Sequence, residues 1–141
     1  MALDITSLER AIGQLEEALA YAGSDLARSD PKLAPHLRAA AILAFESTYE
    51  LAHRMLRSRL AATEPDPDAV SCAPFNRLIR LGCERGLLAE ELSGWLAFRD
   101  ARGTTSRAND ERKALQVFDI IPRFLAEARV LAKALKADAR S

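Results

Sequence analysis

The stretch AAAILAFESTYELAHRMLRSRL, residues 39–60, decides the fold. Its apolar residues recur at steps of three and four, which is the spacing of one face of an α-helix. The main stripe consists of Ile42, Phe45, Tyr49, Ala52 and Leu56. Leu43, Leu51 and Leu60 widen it. We therefore expect a long central helix, from about Pro35 to Ala62, that is buried on more than one side.

Helical spacing also marks the N-terminal segment. Its apolar stripe consists of Leu8, Ile12, Leu15 and Leu19. Thr6 is predicted to cap this helix, and Glu9 is placed to bond back to Thr6, as in a capping box. The helix should end near residues 22–24, where a glycine and a serine follow each other.

Three further helices are predicted in the second half of the chain. The first is short, from about Pro74 to Arg85, and Gly86 follows it as a left-handed stop. The next starts near residues 89–91, where acidic side chains suit the positive end of the helix dipole. The last is long and begins near residue 110. Pro122 should kink or split it, because proline removes a backbone hydrogen bond.

These elements predict one all-α domain over residues 1–141. The chain has neither a strand-like alternation of any length nor an internal repeat, and 49% of its residues are apolar, enough for a real core. Long helices with short connections favour an antiparallel up-and-down four-helix bundle with a short additional helix.

Composition excludes several classes of function. Twenty basic residues balance twenty acidic ones, so the chain lacks the overall positive field of a non-specific duplex-binding protein. Cys72 and Cys83 lack the spacing of a zinc site, and we expect two reduced thiols, no metal and no cofactor. With no secretory signal and no apolar run near the ~20 residues of a membrane span, a cytoplasmic protein without membrane attachment is expected.

The central helix carries the first candidate chemistry. Glu46 and Glu50 lie one turn apart, so their carboxylates share a face and could hold a metal or orient a base. The alternative is that they pair with Arg54 and Arg57 along the surface. His53 lies on the same helix, without a matched nucleophile nearby in sequence, and is either a packed residue or a base.

The most polar interruption between two predicted helices is RDARGTTSRAND, residues 99–110. It offers Arg99, Arg102 and Arg107 together with three hydroxyl groups. Arginine forks suit phosphate, and hydroxyls can add hydrogen bonds. The segment therefore indicates either an anion-binding site or an ordinary solvated loop.

Three stretches resemble the nucleotidyltransferase substrate-binding protein family. AFESTYELAHRML, residues 44–56, is similar to the family signature RFEFTYELAWKxLK. RGTTSRAND, residues 102–110, occupies the position of the family segment RNxTSHxYD. LERAIGQLEEAL, residues 8–19, is similar to its opening helix, so the resemblance spans nearly the whole chain.

The resemblance implies a HEPN-type helical bundle that forms a homodimer and has a separately encoded minimal nucleotidyltransferase as its partner. It also implies membership of a type of pair that often acts as a toxin–antitoxin system, in which the helical member is a metal-independent RNase. The RNase members use an arginine followed by a histidine and a tyrosine. Here Arg102 fills the first position, whereas Arg107 and Asn109 stand at the other two. Arginine stays protonated and cannot take a proton from a ribose hydroxyl.

We therefore expect a non-catalytic substrate- or nucleotide-binding subunit, or partner subunit, of a two-component nucleotidyltransferase, with no catalytic residue of its own. The candidate binding residues are Arg102, Ser106, Arg107, Glu46, Tyr49, Glu50 and His53. The two arginines and the serine would face the phosphate of a nucleotide or RNA, or an acidic partner surface. One alternative is a HEPN-type RNase whose base is His53, and another is a purely structural dimeric bundle.

Overall fold

The structure is a computed structural model that describes residues 5–105 and 110–139. Within these ranges the chain forms seven α-helices and no strand, so the prediction of an all-α bundle is confirmed. The helices are α1 (Thr6–Ala22), α2 (Asp25–Ser29), α3 (Ala34–Thr63), α4 (Pro67–Ser71), α5 (Phe75–Glu84), α6 (Leu92–Thr104) and α7 (Glu111–Ala139). None of the helices in the described part is both long and apolar enough to cross a bilayer.

Paired contacts give the directions of the long helices. Glu16 and Glu9 on α1 pair with Arg129 at 2.7 Å and Lys136 at 3.5 Å on α7, so α1 and α7 run in opposite directions. The start of α6 bonds to α7 at Glu127, whereas the end of α6 lies beside the start of α7, so these two are also antiparallel. The rings of Phe45 and Phe124 meet near the middle of α3 and α7. Further along α3, Arg59 donates to the backbone carbonyl of Leu135, near the end of α7. These two helices therefore run in the same direction.

The core is built on four aromatic side chains from α3, α6 and α7. Phe45, Trp95, Phe98 and Phe124 are fully buried. Phe124 meets Phe45 and Phe98 edge to face, with ring centroids 5.1 and 5.4 Å apart. This is the favoured geometry for aromatic pairs, because the edge of one ring is positive and the face of the other is negative. The main stripe predicted for the central helix is thus the stripe that packs, whereas Leu43, which was predicted to widen it, is 65% exposed.

Two short helices, α2 and α4, were not predicted. Each is capped by a side chain, since Ser24 accepts from the backbone N–H of Ala27 at 3.4 Å and Asp66 accepts from that of Ala69 at 3.2 Å. Five residues are too few to display a helical period, so the sequence around Asp66 indicated only a loop. Gly86 has a φ of 75°, which agrees with the predicted left-handed stop after α5.

One local prediction was wrong, and one of the two alternatives in another is excluded. The cap position of α1 is Ile5 rather than Thr6, and it makes no side-chain cap hydrogen bond. The last helix is not split, because α7 continues through Pro122. Pro122 is exposed, whereas Ile121 and Phe124 on either side of it are buried, so packing against the core offsets the lost hydrogen bond.

A buried carboxylate positions the start of α6. Glu127 on α7 is 2% exposed, and it accepts hydrogen bonds from the backbone N–H groups of Ala89 at 3.1 Å and Glu90 at 2.9 Å. It also accepts from the indole N–H of Trp95 at 2.7 Å. A buried charge is tolerated when such donors replace its water. Glu127 therefore fixes the segment that enters α6, the helix that carries Arg102.

Candidate functional site

Arg102 is held by two carboxylates of α3. Its Nε atom donates to Oε1 of Glu50 at 3.1 Å, and its Nη2 atom forms a second bond to the same oxygen. The Nη2 atom also lies 3.4 Å from Oε1 of Glu46. The hydrogen bond to Glu50 raises the pKa of Arg102, so its positive charge is further secured. We call these three residues the Arg102 cluster.

The Arg102 cluster corrects the expected pairing of the two glutamates. One of the two alternatives from the sequence paired them with Arg54 and Arg57 along α3, but the bonded arginine comes from α6. Arg57 instead donates from Nη1 to the backbone carbonyls of the segment 70–73, at distances from 2.9 to 3.2 Å. In the ranges 5–105 and 110–139, no group of three His, Cys, Asp or Glu side chains could hold a metal ion.

Tyr49, one of the candidate binding residues, belongs to the core. Its side chain is 6% exposed. Its ring lies at nearly equal distances from the rings of Phe45, Trp95 and Phe124, with centroids 6.0 to 6.3 Å apart. Burial raises the pKa of Tyr49 to about 12, although the nearby charges of Arg99 and Arg102 act in the opposite direction. The phenol therefore stays protonated at neutral pH.

His53 lies among flat side chains. Its ring is parallel to that of Tyr49, with centroids 6.2 Å apart and an interplanar angle of 2°. It also stacks on Phe75 of α5, with centroids 5.8 Å apart and an interplanar angle of 29°. Its Nε2 atom is buried and has no hydrogen-bond partner in the described part of the chain. Burial, assisted by the charge of Arg57, lowers the pKa of His53, so the ring is neutral near pH 7.

Arg99 also contacts this group of side chains. Its guanidinium carbon lies 4.5 Å from the centroid of Phe75, a cation–π contact. Arg99 is exposed, and no carboxylate of the described residues lies within 4.0 Å of its charged group. We call Tyr49, His53, Phe75 and Arg99 the Phe75 stack.

Sequence reasoning only partly anticipated this arrangement. It brought Glu46, Glu50, His53 and Arg102 to one region, as the structure does, but it missed Phe75 and treated Arg99 only as one of three arginines. The one available signal for Phe75 was an aromatic residue directly after a proline at a helix start. Two of the candidate residues, Ser106 and Arg107, lie outside the described residues, as does Asn109.

Comparison with known proteins points to one family. The family described as "nucleotidyltransferase substrate binding protein like" matches residues 3–137. The chain is 34% identical over 100 residues to "Probable ribonuclease HepT" from Haemophilus influenzae, and this alignment covers 71% of the chain and 68% of the relative. The fold is similar to that of HI0074 from Haemophilus influenzae, reported as the fold of a substrate-binding domain of a nucleotidyltransferase. The TM-score is 0.90 and the identity 29%, with 94% of this chain and 99% of that chain covered.

Proposed function

This chain belongs to the nucleotidyltransferase substrate-binding protein family, and we propose that it is a binding subunit with no catalytic activity of its own. Its partner would be a separately encoded minimal nucleotidyltransferase, which supplies the catalytic residues. The helical chain would contribute a surface for that partner and a site for a nucleotide-type ligand. The pair would be of the toxin–antitoxin type, and the chain would act as a homodimer.

The observation that carries this proposal is the lack of an accessible imidazole beside Arg102 in the described residues, since the RNase members of the family use a histidine there. A general base must come within hydrogen-bond reach of the proton that it removes. The Nε2 atom of His53 is buried. His36 lies ten residues before Glu46 on α3, which is a rise of about 15 Å along the helix. Arg107, at the position where the RNase members have histidine, stays protonated.

The charge of the Arg102 cluster supports a role in contacting a protein partner. Two carboxylates face one guanidinium, so the cluster carries one net negative charge. The three side chains are between 30% and 52% exposed, and a partner can therefore reach them. A phosphate that approached Arg102 would meet Glu46 and Glu50, whereas a basic side chain of a partner would be attracted.

Co-purification tests the proposed partnership. A tagged chain is co-expressed with a minimal nucleotidyltransferase from the genome that encodes it, and we expect the two to elute as one complex. The double variant Glu46→Gln, Glu50→Gln should weaken that complex. Its matched control is Glu9→Gln, Glu16→Gln, which removes two carboxylates of similar exposure from ion pairs on α1. Absence of any complex with the native chain would refute the proposal.

The second candidate function is that of a ribonuclease, and the relative named "Probable ribonuclease HepT" favours it. His53 would then be the base, and Arg102 would hold a phosphate. The test is incubation of the purified chain with single-stranded RNA. We expect intact RNA; cleavage that disappears in a folded His53→Ala variant would establish the ribonuclease instead.

The third candidate, a purely structural dimeric bundle, makes a separate prediction. In that case Arg102→Ala and Arg107→Ala would leave every binding measurement unchanged. If either variant weakens partner or ligand binding while the fold persists, a purely structural role is excluded. Sedimentation at micromolar concentration tests the dimer, and a single monomeric species would contradict it.

A further inference from the structure

We propose that Arg99, rather than Arg102, is the arginine that contacts the phosphate of a nucleoside phosphate. This inference deepens the proposed function, because it assigns the ligand contact of the binding subunit. The assignment rests on three points. They are which N–H donors of each arginine are already engaged, which contacts hold Arg99 in place, and which ligand fits the exposed guanidinium of Arg99.

Four other arginines of the described residues have N–H donors engaged by carboxylates from elsewhere in the fold. The pairs are Arg85 with Glu64, Arg102 with Glu50, Arg123 with Glu90 and Arg129 with Glu16. Arg99 differs, because its contact is with the face of Phe75 and not with a carboxylate of the described residues. A cation–π contact does not require the N–H groups of the guanidinium to act as hydrogen-bond donors, so they remain available to another acceptor. Arg99 can therefore offer a full fork of donors to an anion.

The Phe75 stack holds this guanidinium in place. Phe75 is half-buried, and its ring contacts both the guanidinium of Arg99 and the ring of His53. The segment just before Phe75 is fixed in turn, because Arg57 donates to three of its backbone carbonyls. A side chain ordered before binding loses less conformational entropy when the ligand arrives. An exposed arginine without such support would have to be ordered by the ligand itself.

The geometry suits a phosphate joined to a flat base. The edge of a guanidinium matches two phosphate oxygens, and its outer face can stack on a nucleobase. Arg102 lies one turn further along α6, and the two carboxylates of its cluster disfavour an anion there. A single phosphate at Arg99 is thus the arrangement that the charges favour. A free nucleotide and one unit of a single-stranded RNA share this chemistry.

Calorimetric titration of the purified chain tests the assignment. The probes are AMP, a short single-stranded oligoadenylate and inorganic phosphate. We expect Arg99→Ala to weaken AMP binding about tenfold or more, since a charge-assisted bond is lost. Arg99→Lys should recover only part of the affinity, because an ammonium group neither forks nor stacks. Phe75→Leu should weaken binding less than Arg99→Ala does, because the charge remains.

The control is Arg10→Ala, which removes one exposed arginine from α1 and should leave the affinity unchanged. Thermal unfolding of each variant verifies the fold. Binding of AMP alone identifies a free nucleotide as the ligand, and tighter binding of the oligoadenylate identifies a strand; both support the site. The proposal is overturned if no probe binds the native chain, if Arg99→Ala binds AMP as the native chain does, or if inorganic phosphate binds as tightly as AMP. None of these titrations needs the nucleotidyltransferase, so failure of the partnership and failure of this site are told apart.

Discussion

Arg102 on α6 donates to Glu50 on α3, with its Nε atom 3.1 Å from Oε1, across 52 positions of sequence. The bond ties the end of α6 to the middle of the longest helix of the bundle. Because of this bond, Arg102, the arginine that the sequence singled out, is not directly available to a phosphate. Four predictions follow from this and from the other contacts that build the site.

Removal of the Glu50 charge should have a small effect on stability. We expect Glu50→Gln to lower the free energy of unfolding by up to about 1 kcal/mol, because both partners are partly exposed. The effect should shrink in high salt, since screening weakens exposed ion pairs. Urea denaturation at low and high ionic strength measures both. A loss several times larger would mean that the cluster is less accessible to solvent than the structure indicates.

Glu127 should be far more sensitive than Glu50. In Glu127→Gln an amide N–H replaces one acceptor and faces a donor, so a buried N–H among Ala89, Glu90 and Trp95 loses its partner. We expect a loss of about 1–3 kcal/mol in the free energy of unfolding. Glu111→Gln, an exposed position on the same helix, is the control and should change little. Equal stability of the two variants would contradict the role assigned to Glu127.

Stability should fall as the solution is acidified below neutral pH, and His53 should contribute to this. Its pKa is lowered in the folded chain, mainly by burial, so the unfolded chain binds the proton more readily. The unfolded value is about 6.5, and the free energy of unfolding should therefore decrease as pH falls through that value. His53→Gln should flatten the dependence between about pH 7.5 and 5.5, the range around that unfolded value. His36→Gln removes an imidazole from the exposed start of α3 and serves as the control. A native chain whose stability is constant over this range would refute the prediction.

Two glycines should respond to alanine in opposite directions. A Cβ atom at Gly82 would lie 2.9 Å from Cδ1 of Leu88 and 3.1 Å from Cδ1 of Leu56, so Gly82→Ala overpacks the contact between α5 and α3. We expect the overpacking to cost about 1–3 kcal/mol, of which alanine recovers about 0.5–1 kcal/mol through its lower backbone entropy in a helix. At Gly13, inside α1, a Cβ atom meets nothing within 4 Å. Gly13→Ala should therefore stabilise the chain by about 0.5–1 kcal/mol, because alanine loses less backbone entropy in a helix. Thermal and urea unfolding of both variants give the comparison.

The sequence by itself determined where the long central helix lies. The stripe through Phe45, Tyr49 and Leu56 predicted the position of α3 to within a residue or two, and it also indicated which face is buried. This works because a helix forms from contacts between residues three and four apart, and that spacing is visible in any window of the chain. The resemblance of residues 44–56 and 102–110 to one family pointed to the same bundle. The family match over residues 3–137 confirms that resemblance.

Only the tertiary structure decided which side chains meet. Local spacing favoured Arg54 as the partner of Glu50, but the partner is Arg102, and Arg57 is used on backbone carbonyls. Nothing in the sequence indicated that Arg99 would lie on Phe75. Pairing between helices depends on their rotation and register, which are set by the packing of the whole core. Two residues far apart in sequence therefore meet for reasons that the spacing around either one does not contain.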